Sequence, residues 1–586
     1  MSKNDETRLL TAINTPMGKD WWITSLDGTE SLSELYAFTL MFESGKSHID
    51  MNALLGEPCV VRLRKEQDDK RVRYFSGCIV EVTACGEGGE DGEDERHWTY
   101  MVDVRPTLWY ASQRAKFEIW QNKNVQQIVD EVLARNKVVN HQWHLQNKYK
   151  KWEYLVQYGE TDLDFLCRLL EHEGIYFWFE HGKDGEKLIL GDNYNVHKPF
   201  EGCEEVPYYS HNIADGYHGW SAARKPVPGH YKHRDYDFKH PKKDIGRDAE
   251  DERGHLFKEY EVHGYPGNYV DPEHGKAYAD ARLQALQIQQ DVITLDGDVH
   301  GAVPGCRFKL INGEGLAPLD ESYYREYMIT YAHYSAENSD YVAGEGAGEG
   351  ESFHVTIDAL PANRQYRSPL KTPKPRTYGP ETAVVVGPSG SEIHTDEYGR
   401  VKVHFHWDRE GKKDGNDSCW IRVSYPWAGS GFGGIHIPRV GQEVIVDYEY
   451  GDPDRPFITG RVYNADQMPP WKLPTNKTQS GIESRSSLDG KKANANIIRF
   501  EDKKGGEKIE IHAERDLNLE VENDRDLKVG GKHVEVVNKN IEVTSKTGSI
   551  TLTAATKIIL EVGASKIVMN ANGTIKITGP TRVDIN

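Results

Sequence analysis

Aromatic side chains stop at Phe500. Beyond it there is no Phe, Tyr, Trp or Cys and a single proline, Pro580, although the whole chain carries 13 Trp, 31 Tyr and 16 Phe. A compact globular core without rings is unusual, so this tail builds its interior in another way. Cysteine is scarce as well. There are 7 in 586 residues, an odd count with no CxxC pair, which excludes a disulfide framework or a zinc finger read from spacing. Reduced, mostly buried thiols fit folding in the cytoplasm. No apolar run approaches the roughly 20 residues of a membrane helix. The polar start Met1–Glu6 has no apolar segment after it, so no conventional signal peptide is expected. Positive charge is also in deficit, with 72 Lys and Arg against 92 Asp and Glu and a net charge of −20. That balance argues against a nucleic-acid or anionic-membrane partner. The length predicts several domains rather than one core.

What the tail does contain is aliphatic residues in pairs at i and i+2. They are Ile509/Ile511, Leu517/Leu519, Leu527/Val529, Val534/Val536, Ile541/Val543, Ile550/Leu552, Ile558/Leu560, Ile567/Met569, Ile575/Ile577 and Val583/Ile585. Each pair reads as a short strand with one inward face, and the steps between pairs hold turn residues such as Gly, Asn, Asp and Lys. A near-constant step marks a β-solenoid. Two inward residues per strand make too thin a core for one chain, and the strand edges would stay open. Three interwound chains close both, so the tail is expected to form an intertwined triple-stranded β-helix, a β-prism ~45–50 Å long at the strand spacing of a sheet. The residues expected on its axis are Ile509, Ile511, Leu517, Leu519, Ile541, Val543, Ile550, Leu552, Ile558, Leu560, Ile567, Met569, Ile575 and Ile577.

Upstream, residues 382–463 read as a small all-β barrel of the OB type. Candidate strands are Thr382–Val386, Arg400–Trp407, Ser418–Tyr425, Gly434–Ile437, Gln442–Tyr450 and Pro456–Tyr463, separated by turns such as Asp396–Gly399 and Gly451–Asp454. A proline-rich stretch, Pro361 to Pro380, precedes it. The N-terminal part is mainly β, with helices predicted at about 124–135, 162–173 and 275–290. The second has Thr161 as N-cap, Asp164 in the capping-box position and Gly174 as its stop. The glycine-acid run Gly344–Gly350 is expected to be a loop. The domain reading is a base over 1–370, an OB domain over 380–465, a polar linker over 466–506 and a needle over 507–586.

Motifs of chemistry are weak. His404-Phe-His406 sets two imidazoles on one strand face, but a metal needs a third ligand and none is evident nearby; the pair reads as polar or packed surface residues. Ser44-Gly-Lys-Ser47 lacks the first glycine of a phosphate loop, and Gly344–Gly350 has Glu349 where a dinucleotide fingerprint needs glycine. His172-Glu173 lacks the second histidine of a zinc-protease motif, and no GxSxG elbow occurs. The OB segment holds more acidic than basic residues, against a single-strand nucleic-acid groove. No catalytic, cofactor-binding or metal-binding residue is assigned, and no cofactor is expected.

Several long strings carry a resemblance. Tyr158–Tyr176 (YGETDLDFLCRLLEHEGIY), Thr395–Asp408 (TDEYGRVKVHFHWD), Cys419–Val423, Ile437–Val446 and Gly451–Asn464 (GDPDRPFITGRVYN) resemble the VgrG family, the spikes of type VI secretion systems, and the likeness runs through the chain. The family is similar to the fused hub and needle of contractile phage tails. The resemblance implies a homotrimer whose base holds two related barrel domains per chain and faces the hexameric Hcp tube. It further implies an OB domain joining base to needle, a PAAR-repeat protein at the tip, cytoplasmic assembly, and secretion through the type VI system without a signal peptide. Because the chain stops at Asn586, near its last predicted strand, effector cargo is expected to be non-covalent. The linker is too short and polar for the lysozyme domain of the phage counterpart. The expected function is therefore a structural, membrane-puncturing spike and not an enzyme. The alternatives are a cell-wall-degrading enzyme delivered with the spike, or the baseplate hub and needle of a phage-like contractile particle.

Overall fold

Along Ala37–Ser44 every second side chain is buried, and the same period-two alternation runs through much of the N-terminal region. This pattern builds sheets with one packed face. The computed structural model describes residues 8–18, 21–64, 72–91, 95–209, 216–313, 319–338, 351–582 and 584; Gly344–Gly350 and the pair Val583/Ile585 lie outside the described residues. The chain divides into a large unit reaching to about residue 480 and a small one made mostly of 508–586.

In the large unit, twelve strands form one continuous sheet with two six-stranded halves. The first half runs in spatial order Leu10–Asn14, Pro58–Leu63, Arg73–Asp91, Glu95–Arg105, Ala37–Ser44, Trp21–Ser31. The second runs Glu326–Glu337, Arg307–Asn312, Glu205–Tyr208, Tyr217–Arg224, Asp291–Gly297, Ser352–Pro361, and its last strand pairs back onto its first to close a barrel. Trp21–Ser31 pairs with Glu326–Glu337 and fuses the halves. Asn338 completes the seam, donating to the carbonyls of Leu10 and Ile23 and accepting from the Leu10 amide. Closure and fusion leave few open edges, which is how β architectures avoid stray pairing.

Among the described residues the large unit also holds three α-helices. Helix α1, Val125–Arg135, has a complete capping box in which Asn124 and Gln127 exchange hydrogen bonds. Helix α2, Asp162–Glu173, starts at Thr161 and ends at Gly174, whose φ of 74° is the left-handed stop that glycine adopts without strain. Thr161 accepts from the Asp164 amide as predicted, while the Thr161 hydroxyl donates to the Asp164 carboxylate. Helix α3, Pro272–Gln287, begins and ends about three residues before the prediction, because Asp271 caps it and Pro272 opens it.

The OB region forms a five-stranded ring. Its strands are β1 Glu381–Val386, β2 Lys402–Phe405, β3 Arg422–Val423, β4 Glu443–Tyr448 and β5 Pro456–Val462, in spatial order β2-β1-β4-β5-β3. An isolated bridge between Val401 and Ile421 joins the two ends. Ala383, Val385, Val401, Val403, Phe405, Ile421, Val444, Val446 and Ile458 fill the interior. Several strands are shorter than predicted. The expected Gly434–Ile437 strand reduces to Gly433–Gly434, which pairs with Trp427–Ala428 outside the ring.

Candidate functional site, an assembly surface

The tail is where the chain exposes most of its unmatched apolar surface. Two small sheets bracket it. The first joins β6 Gln479–Glu483, β7 Ile497–Glu501 and β8 Lys508–His512; the second joins β9 Lys557–Val562, β10 Ser565–Asn570 and β11 Ile575–Thr578. Between them, residues 515–555 make no main-chain to main-chain hydrogen bond among the described residues. Leu517, Leu519, Leu527, Val529, Val534, Val536, Ile541, Val543, Ile550 and Leu552 all lie exposed, Leu517 and Leu552 at 71%. An extended segment that leaves both its backbone and its aliphatic side chains unmatched is built to pair with something else.

The end sheet departs from the expected winding. The predicted strands at 558/560, 567/569 and 575/577 form, but as an antiparallel meander within one chain. Its register sets Ile558, Met569 and Ile575 in one cross-strand row and Leu560, Ile567 and Ile577 in another. Side chains in such rows share a face, and this one leaves Leu560, Ile575 and Ile577 exposed. Ile509 and Ile511 on β8 are exposed as well. Tight turns at Gly563 and Gly573, both at positive φ, favour local hairpins over a winding path at this end.

Sequence reasoning missed a second surface inside the large unit, where the two-stranded ladder of Ala115–Trp120 and Leu155–Thr161 meets the OB ring. Gly451–Asp454 reads as a turn. In the fold Asp454 accepts the Val156 amide at 2.7 Å, Asp452 and Asp454 pair with Lys374, and Arg455 reaches Asp235. Tyr158 donates to Glu381, and Phe117 packs against Trp407 with ring centroids 5.5 Å apart. The Tyr158–Tyr176 string braces this junction from behind. Arg168 pairs with Glu160 at 2.6 Å and donates to the Val156 carbonyl. Buried Asp162 accepts from Gln157 and Asn136. Glu173 accepts from Trp152 and Tyr278, and burial raises its pKa. The charge-rich signature thus bonds to neighbouring side chains and to the Val156 carbonyl of the fold.

Inside the barrels Glu30 is buried against Arg73 at 2.5 Å and His181 at 2.7 Å, and accepts from Tyr334. Burial alone would raise its pKa; the His181 and Arg73 charges and the Tyr334 hydroxyl overcome that and hold it below the ordinary value. The Arg73 guanidinium lies 4.4 and 4.1 Å from the Phe75 and Tyr334 ring centroids. Every polar arm has a partner, which marks a structural brace. All seven cysteines are free, and burial pushes Cys59, Cys167, Cys306 and Cys419 up to about 12, which keeps those thiols unreactive.

The two histidines of the His404-Phe-His406 string separate. His406 is exposed and bonds the Thr382 hydroxyl at 3.1 Å, whereas His404 is buried beside Asp408 and Asp417. The expectation of a surface pair with no third ligand nearby is therefore corrected. Asp408 sits one turn past the strand and Asp417 returns from a loop, a pairing that the spacing of the histidines does not encode.

Fused barrels, an OB ring and an aliphatic tail define the class of hub-and-needle proteins of contractile injection machines. Family models agree with each part. The phage tail baseplate hub matches residues 29–340, the type VI secretion system/phage-baseplate injector OB domain 390–463, and the bacteriophage T4 gp5 C-terminal trimerisation domain 480–586. The chain is 39% identical to the type VI secretion system spike protein VgrG1a of Pseudomonas aeruginosa, over 98% of this chain and 91% of that protein. It is 41% identical to VgrG1c of the same organism, over 91% and 72%. Among solved structures, an Escherichia coli type VI secretion component described as similar to T4 tail proteins gp27 and gp5 superposes with a TM-score of 0.54 at 20% identity, covering 77% of this chain and 99% of that one. A chain of a Francisella PdpA–VgrG complex superposes at 0.52 and 10% identity, covering 95% and 83%. The chain belongs to the VgrG family of type VI secretion system spike proteins.

Proposed function

We propose that this spike acts mechanically, as a homotrimer whose tails interwind into a needle and whose barrels seat on the hexameric Hcp tube. The observation that carries the reading is the stretch 515–555, aliphatic on alternate positions, exposed, and without main-chain partners. Three such stretches wound together satisfy one another's backbones and bury the six predicted axis residues they carry, Leu517, Leu519, Ile541, Val543, Ile550 and Leu552, and the same axis continues through the other eight on either side. In this reading residues 1–370 are the base, 380–465 the OB connector, 466–506 the linker and 507–586 the needle. Axial load spreads over many interchain hydrogen bonds. A PAAR-repeat protein caps the tip, effectors travel with the spike, and the particle assembles in the cytoplasm and leaves through the type VI system.

No catalytic step belongs to this reading; the buried Glu30 and Glu160 are matched to Arg73, His181 and Arg168. No helix among the described residues is long and apolar enough to cross a membrane, and puncture would be the work of a driven needle. Light scattering coupled to size exclusion tests the core of the proposal. A mass near three times 66.6 kDa that resists SDS at room temperature supports it, and a monomer overturns it. Peptidoglycan left intact by the purified chain is the expected result for the absence of hydrolase activity.

A further inference from the structure

We propose that the OB ring holds a divalent transition-metal ion between His404, Asp408 and Asp417. One ligand atom from each lies within 4.8 Å of the others. His404 Nδ1 stands 3.4 Å from Asp417 Oδ2 and 3.9 Å from Asp408 Oδ2. Atoms ~2.0–2.1 Å from a tetrahedral ion stand about 3.4 Å apart, so the set is close to chelating geometry.

The second oxygens of the carboxylates are already tied down. Asp408 Oδ1 accepts the Glu410 and Gly411 amides, each at 3.0 Å, and Asp417 Oδ1 accepts those of Lys412 and Lys413 at 2.7 and 3.1 Å. Such outer contacts orient the free oxygens inward, as supporting shells do around metal ligands. His404 and Asp417 are 8% and 6% exposed, yet His404 Nδ1 and Asp417 Oδ2 have no hydrogen-bond partner. Buried polar atoms left unmatched are costly, and these two aim at one point. Gly411 covers that point. A Cβ there would come within 2.4 Å of Asp408 Oδ2 and 2.7 Å of His404 Nδ1, so the glycine keeps the space open.

One imidazole and two carboxylates suit a borderline ion such as Zn²⁺, with water completing the shell. The ion would staple the loop 408–417 to strand β2. That loop also meets the segment between the two sheet halves, where Gln121 donates to the Asn416 carbonyl at 2.7 Å. The site thus strengthens the connection between OB ring and base.

The test uses the full chain, stripped with chelator and titrated with Zn²⁺ against a chromophoric competitor. The expected result is one Zn²⁺ per chain, with affinity weakened about 100-fold or more in His404→Gln and Asp417→Asn. Gly411→Ala, which alters no ligand, should lose the ion as well. His230→Gln, in the more exposed cluster with Glu250 and Glu252, should keep it. Should the ligand variants fail to fold, Co²⁺ on the unaltered chain decides. Visible bands of a four-coordinate ion, displaced by one equivalent of Zn²⁺, support the site, and their absence overturns it. Binding unchanged in folded ligand variants overturns it too. So does a melting temperature indifferent to both Zn²⁺ and chelator, which would make the cluster an ion-paired triad.

Discussion

Along β4 of the OB ring, Val444, Val446 and Tyr448 point inward at alternate positions and are buried by strands of the same chain. Along 541–552, Ile541, Val543, Ile550 and Leu552 recur in the same pairwise way and remain 55–71% exposed. Identical local patterning thus meets opposite fates. Alternation specifies which side chains share a face; it does not supply what covers them. The ring closes on itself within a short span, aided by large side chains such as Phe405 and Trp407, which stack at 4.9 Å. The tail has no rings to thicken a core. Its short aliphatic side chains suit a narrow axis shared between chains, and that is the proposal for its assembly.

Four experiments break or sharpen this comparison. The largest effect belongs to Ile558→Asp. A trimer would gather three carboxylates around one axis without partners, so the trimer should be lost and the mass fall to that of one chain. The melting of barrels and OB ring should stay as it was; a heat-resistant trimer would show that Ile558 is not on the axis. In the ring, Phe405→Ala should cost about 3–5 kcal/mol in denaturant unfolding of that region while leaving the trimeric mass intact. Loss of the trimer there would tie the two regions together energetically.

Glu30→Gln removes a charge from a buried pair and should cost roughly 3 kcal/mol of barrel stability. Because the folded pKa of Glu30 lies below its ordinary 4.5, its stabilisation is present above that value and fades as pH falls through the lower folded one. The variant should lose this acid-sensitive component, which urea midpoints measured down the acid range would reveal. The smallest effect is Thr161→Ala, which removes the α2 cap and should cost about 1 kcal/mol, visible as faster amide exchange in the first turn of that helix.

Local signals were legible before the fold was known. Thr161 and Gly174 bracket α2, and each predicted ring strand overlaps an observed strand or bridge, because capping and alternation depend on residues a few positions apart. The site was legible in part. Every predicted axis residue on 517–552 is exposed, while the meander of 557–578 was not foreseen, since winding and folding back use the same alternation. Asp454 against Val156, and Asp417 against His404, escaped notice because nothing in a turn or an acidic loop names a distant partner.

The sequence by itself determined a β-rich chain in several parts, an aliphatic tail without Phe, Tyr or Trp and the family strings that mark a spike. These follow from composition and short-range periodicity. Tertiary structure alone decided that twelve strands fuse two six-stranded halves through Trp21–Ser31 and Glu326–Glu337, that Asp452–Arg455 serves as a joint, and that His404 lies buried with two carboxylates. The physical reason is that strand closure and charge pairing are settled between residues far apart in the chain, where packing and desolvation, not local preference, select the partner.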